Sequence, residues 1–233
     1  MTDAVEIRDL TKRYDRSRRR GVITAVDSVS LTVHAGEIFG FLGPNGAGKT
    51  TTLRMMLGLI RPTSGQVSVL GSRPGSAGDL GRVGSLIEGP AFYPYLSGQD
   101  NLEVMAAYAH TPRARIGDVL REVALTDRAG DKFATYSLGM KQRLGVAAAL
   151  LKDPELVLLD EPTNGLDPAG MRDMRELVRR LGAEGRTVVL SSHLMGEVQQ
   201  ICERVAVIDR GTIVAEGTVD DLRGERDLVV TAA

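Results

Sequence analysis

The sequence predicts an α/β fold in which a mainly parallel core sheet carries an N-terminal antiparallel β flank and an inserted α-helical subdomain. Short β-branched runs, "EIFGFL", "PELVLLD", "RTVVLSSH" and "RVAVIDRG", alternate with helical patterns such as "AGMRDMRELVRRLG". That alternation is expected of parallel strands joined by helices. The N-terminal stretch instead holds two strand-like runs, "AVEIRDL" and "VDSVSLTV", around a basic turn, "DRSRRRG", and reads as an antiparallel flank. Between Ser97 and Leu151 the strand signal gives way to three helical stretches, which form the inserted lobe.

With 233 residues, 25% charged and 42% hydrophobic, the chain suits one domain with a large core. Lys plus Arg number 29 against 30 Asp plus Glu, a formal charge of -1, so no global field attracts nucleic acid and phosphate affinity must be local. No nucleic-acid partner is expected. The single cysteine, Cys202, can form no internal disulfide and reads as a small buried hydrophobe in a reducing compartment. The longest apolar run, near Leu144 to Leu151, is far short of the roughly 20 residues a membrane helix needs. No apolar secretory core opens the chain, and it is expected to be soluble.

Taken in order, the flank comes first, and its turn from Arg16 to Arg20 reads as a solvated loop. "EIFGFL" follows and leads directly into "GPNGAGKT", Gly43 to Thr50, which opens a helix near Lys49. Strand, Gly-rich loop and Lys-Thr at a helix start form the phosphate-binding P-loop, making the fold that of a P-loop NTPase. Gly43, Gly46 and Gly48 let the backbone turn tightly, so that loop amides and the helix N-terminus surround phosphate oxygens. Gly43, Pro44, Asn45, Gly46, Ala47, Gly48, Lys49, Thr50 and Thr51 are thus the nucleotide-binding candidates. Lys49 is expected to bridge the terminal phosphates and the Thr50 hydroxyl to bind Mg²⁺.

"LVLLDEPTNGLD" reads as a buried strand ending in two acids, Asp160 and Glu161, at the end where open α/β sheets bind ligands. Asp160 is expected to hold Mg²⁺ and Glu161 to polarise a water attacking the γ-phosphate. Alone, Asp-Glu-Pro reads equally well as N-caps and turn formers; beside a P-loop the chemical reading prevails. Asp160 lies 111 residues beyond Lys49, more than one crossover needs, and the interval holds "YSLGMKQRLGVAAALL". There Ser137 and Gly139 stand at the start of a helix with an apolar face. That is an N-capped core helix, and its positive end is also suited to receive a second phosphate from outside.

Together these motifs resemble the ATP-binding subunit of an ABC transporter, from Val5 to about Arg223. The resemblance implies an ABC nucleotide-binding domain over 1–223, with its core in 1–87 and 152–223, the helical subdomain in 88–151 and a tail at 224–233. It makes "GPNGAGKT" Walker A, "LVLLDE" Walker B with Glu161 as catalytic carboxylate, "YSLGMKQR" the signature and "NGLD", ending at Asp167, the loop linking two active sites. His193, 32 residues after Glu161, matches the switch histidine that senses the γ-phosphate, although by itself it reads as an ordinary strand-end residue. Tyr14 matches the aromatic that stacks on adenine, a plain strand aromatic being the alternative. The family implies a head-to-tail homodimer with two ATP molecules between one subunit's P-loop and the other's signature, driving an integral membrane permease from the cytoplasmic face of the membrane.

Two departures narrow the resemblance. The signature reads Tyr-Ser-Leu-Gly-Met, and the position 39 residues after Lys49, commonly a Gln touching Mg²⁺ and the attacking water, is Glu88. With "GPAFYPYLSGQDNL" following, these features resemble subunits that export, or confer immunity to, peptide antibiotics of the bacitracin and lantibiotic type, while drug exporters share the "YSLGMKQR" form. Glu88 is accordingly a third metal candidate and a transmission element. Three of the nine aromatics, Phe92, Tyr93 and Tyr95, crowd beside it and read either as a docking surface or as core. Other classes fit less well. No Asn-Lys-x-Asp guanine reader appears, a small-molecule kinase needs no signature helix, and ABC proteins of translation pair two cassettes in one chain. Glu161 and His193 together argue against a regulatory module that does not hydrolyse ATP.

Overall fold

The computed structural model describes residues 3–15, 21–76 and 81–224; the basic turn at 16–20 and the tail beyond 224 lie outside them. The core is a sheet of six strands in the order β5-β6-β7-β3-β8-β9: β3 (Ile38–Leu42), β5 (Val83–Leu86), β6 (Leu156–Asp160), β7 (Thr187–Ser192), β8 (Arg204–Asp209) and β9 (Thr212–Thr218). All neighbours run parallel except β9, which returns antiparallel on β8. A second sheet of three antiparallel strands, β2-β1-β4, is built from β1 (Asp3–Asp15), β2 (Val22–His34) and β4 (Ser64–Val69).

The central strands are buried on both faces, and the pleat divides their side chains between two clusters. Phe39, Phe41, Leu156 and Leu158 pack with the β flank and with α1 (Lys49–Met56), whereas Ile38, Leu42, Val157 and Leu159 face the remaining helices. Those helices are α2 (Gly98–Ala109), α3 (Ala114–Glu122), α4 (Leu138–Leu150), α5 (Pro168–Ala183), α6 (Met195–Ile201) and α7 (Val219–Gly224). α2 to α4 lie between β5 and β6, as the helical stretches from Ser97 to Leu151 predict. α2 opens with a capping box in which Ser97 and Asp100 bond each other's backbone amides. Among the described residues no helix is long and apolar enough to cross a membrane.

Three strands escape the sequence reading, each because its residues carry a weak period-2 signal. β4, "SGQVSV", is polar and half exposed at the flank edge. β5 is only four residues long, and its Gly84 sits where a Cβ would meet the Ala149 carbonyl at 2.3 Å. β9 alternates exposed and half-buried residues as the edge of the core sheet. The aromatic run is divided rather than uniform. Phe92, partly buried, packs edge-on against the core residue Phe133 at 5.2 Å, while Tyr93 and Tyr95 are 48% and 66% exposed.

Candidate nucleotide site

Sheet order assembles the site. β7 lies between β6 and β3, so Asp160 is paired with Ser191 and Leu42 with Ser192. The acids at the end of β6 and the loop after β3 therefore flank the end of β7, and Gly43 N donates to the Ser192 carbonyl at 3.1 Å. The P-loop then winds into α1, capped by Gly48 at φ 111°, where a Cβ would meet the Ala25 carbonyl at 2.5 Å. Only glycine meets both demands. On its other side the loop is held from the β8–β9 turn by Gly211 N donating to the Ala47 carbonyl at 2.9 Å.

Lys49 is 95% buried at the first turn of α1 and has three oxygen partners: the carbonyls of Gly43 at 2.6 Å and Pro44 at 3.1 Å, and Glu161 Oε1 at 3.0 Å. Glu161 Oε2 lies 2.6 Å from His193 Nδ1, so one carboxylate joins the P-loop lysine to the strand-end histidine. Burial alone would raise the Glu161 carboxyl pKa, but hydrogen bonds and charge from Lys49 and His193 outweigh it and hold the group below its ordinary value. Glu161 is thus ionised and can accept a proton. Its backbone sits at φ 48°, a left-handed conformation costly for a side-chain-bearing residue.

The Thr50 hydroxyl donates to Asp160 Oδ2 at 2.7 Å, placing a hydroxyl and a carboxylate side by side. Among the described residues no group of three or more His, Cys, Asp or Glu is arranged to hold a metal ion. The pair nevertheless suits Mg²⁺, a hard ion bound through one or two protein oxygens together with substrate phosphates rather than in an all-protein cage. Sequence reasoning missed the residue that organises this corner. Ser191 is fully buried, donates to Asp160 Oδ1 at 2.5 Å and accepts from Glu161 N at 3.0 Å, so one hydroxyl fixes both acids. Its signal was the first serine of "SSH", directly after the apolar run Val188 to Leu190.

Glu88 is not joined to the Thr50–Asp160 pair. Its carboxylate forms an ion pair with Arg54, one turn beyond Thr50 on α1, and its side chain is 62% exposed. Its backbone, like that of Glu161, is left-handed, at φ 63°. Tyr14 lies opposite Ile23 where β1 and β2 approach the P-loop through Ala25, and it is 37% exposed with Lys12 Nζ 5.0 Å from its ring centre.

The signature residues form a separate place. Ser137 caps α4 by accepting from Met140 N at 3.2 Å, and Asp167 caps α5 by accepting from Gly170 N at 2.8 Å. These two helix starts, with Leu138, Gly139 and Gly165, line one cleft that includes no P-loop residue. This cleft and the P-loop share no residue.

Residues 26–164 match the ABC transporter family. The chain is 44% identical over 225 residues to an uncharacterised ABC transporter ATP-binding protein of Bacillus subtilis, covering 95% of this chain and 72% of that one. It is 43% identical to the bacitracin transport ATP-binding protein of Bacillus licheniformis, over 96% of this chain and 72% of that protein. The lantibiotic transport ATP-binding protein of Streptococcus pyogenes is 37% identical, over 93% of this chain and 91% of its own length. Among solved structures, a dimeric ATP-binding cassette in a post-hydrolysis state with ADP and Pi superposes with a TM-score of 0.81 at 26% identity, covering 92% of this chain and 98% of that one. With a P-loop, paired acids and histidine gathered at one end of the central strands and this breadth of likeness, the chain belongs to the ABC transporter family, as one of its ATP-binding, ATP-hydrolysing subunits.

Proposed function

We propose that the chain powers a separate membrane permease that exports a peptide antibiotic or a related drug, working as a head-to-tail homodimer on the cytoplasmic face of the membrane. The junction of Lys49, Glu161 and His193 beside the Thr50–Asp160 pair carries the hydrolytic part of this reading. Likeness to the bacitracin and lantibiotic transport proteins supports the substrate class.

In this account the P-loop residues Gly43 to Thr51 wrap the phosphates of ATP, and Lys49 exchanges its carbonyl and Glu161 partners for β- and γ-phosphate oxygens. That exchange frees Glu161 to take a proton from the attacking water, a step worth on the order of 10² to 10⁴ in rate. His193, oriented through Nδ1 by Glu161, presents its other ring nitrogen to the γ-phosphate. Thr50 and Asp160 hold Mg²⁺, which when bound offsets the negative charge on the phosphates. Ser137 and Gly139 offer the start of α4 to the ATP of the second subunit, with Asp167 beside them, and Tyr14 stacks on adenine. Because each chain keeps these two devices apart, a second copy completes each site.

Glu88 takes the part of a transmission element at the junction of the nucleotide core (1–87 and 152–223) and the helical subdomain (88–151). Its bond to Arg54, made through Oε1, ties that junction to the P-loop helix, and Oε2 is the oxygen that would reach Mg²⁺. Exposed Tyr93 and Tyr95 beside it offer apolar surface to the permease. The test is reconstitution with the cognate permease in lipid vesicles. ATP-dependent movement of a bacitracin-type or lantibiotic peptide, lost with Lys49→Ala, is expected; ATP turnover that no such peptide stimulates and that moves none would overturn the substrate assignment.

A further inference from the structure

His193 is the last site residue before a short helix, and the structure shows what holds that helix. α6 has seven residues and no side-chain N-cap. An isolated helix of that length is unstable in water, so its place is set by what it packs on. Val198 lies against β3 where a Cβ on Gly40 would come within 2.4 Å of it, and two arginines of α5 fasten the rest. Arg175 Nη1 reaches Glu197 Oε1 at 2.6 Å, with the two side chains only 14% and 11% exposed, and Arg179 Nη2 donates to the Gln200 carbonyl at 2.9 Å. The other Glu197 oxygen, Oε2, is buried without a partner. A buried ion pair with an unpaired oxygen adds little stability over an apolar pair of similar volume. What it does supply is a fixed position.

We propose that the Arg175–Glu197 pair is the positioning device for His193. Glu197 stands four residues after His193, and Leu194 N, between them, donates to Ser192 Oγ at 3.0 Å, so little slack separates α6 from the ring that meets Glu161. Arg175 in turn belongs to the helix capped by Asp167. A displacement of α6 therefore moves the histidine relative to the carboxylate without touching the P-loop, and it acts on turnover rather than on ATP binding. The inference rests on His193 serving in turnover, and the experiment separates the two claims.

Steady-state ATPase kinetics and thermal melts are measured for wild type, Glu197→Gln, His193→Ala, their combination, and the apolar pair Arg175→Met with Glu197→Leu. Glu197→Gln is expected to lower kcat about ten- to a hundredfold, the cost of a misplacement on the order of 1 Å, with KM unchanged. In the His193→Ala background it should cost nothing further, because the group it positions is gone. The apolar pair should melt at or above the wild-type temperature and still lose kcat. An equal loss of kcat from Glu197→Gln in both backgrounds, or a kcat that the apolar pair restores, overturns the positioning role while leaving His193 in place. An unchanged kcat for His193→Ala itself overturns the reading of the histidine, and the positioning role with it.

Discussion

Glu161 is the residue on which most of the chemistry converges. Hydrogen bonds from Lys49 and His193 overcome the effect of burial and hold its carboxyl below the ordinary value of 4.5. A depressed folded-state pKa means the unfolded chain binds the extra proton first. The stabilisation is therefore present in full above pH 4.5 and lost as pH falls through the lower, folded-state value. The stability difference between wild type and Glu161→Gln, read from urea midpoints, is expected to be flat at neutral pH and to shrink below about 4.5. A difference that instead shrinks on raising the pH would reverse the sign assigned here. The same residue shows what a sequence conveys. Its type and place after an apolar strand were legible because a buried strand ending in two acids is a local pattern, whereas its bridging of Lys49 and His193 depends on β7 entering between β6 and β3. The roles of Ser191, which organises both acids, and of Glu197, which faces Arg175, were not legible for the same reason: each depends on a partner brought near by strand order or by helix packing.

At the scale of elements, the P-loop helix, the helical stretches and the parallel strands could be read because their periods and caps are written locally. β4, β5 and β9 could not, since edge strands need few apolar residues and take their stability from a neighbour. α4 shows why structure and function overlap in one motif. Ser137 is both the cap of a buried helix and the candidate group for a second ATP. Ser137→Ala is expected to cost about 1 kcal/mol of stability, whereas Ser137→Asn, which keeps a capping oxygen, should cost only a few tenths. Both should lower turnover, because the group facing the second nucleotide changes in each. Chemical denaturation run beside ATPase assays checks this, and normal turnover with Ser137→Ala would confine the serine to capping.

At the scale of the molecule, two sheets and a helical insertion place a P-loop on one part of the surface and a capped pair of helix starts on another. On the proposed reading, such a chain binds ATP by itself and a second copy surrounds the nucleotide. The chain's likeness to a bacitracin transport protein and the exposed tyrosines beside Glu88 are what support the proposed membrane partner. The most direct measurement of this account is the molecular mass of Glu161→Gln with ATP and Mg²⁺, taken by analytical ultracentrifugation together with phosphate release. The account predicts a dimer holding two ATP molecules per pair of chains with turnover nearly abolished; a monomer that releases phosphate at the wild-type rate would contradict it.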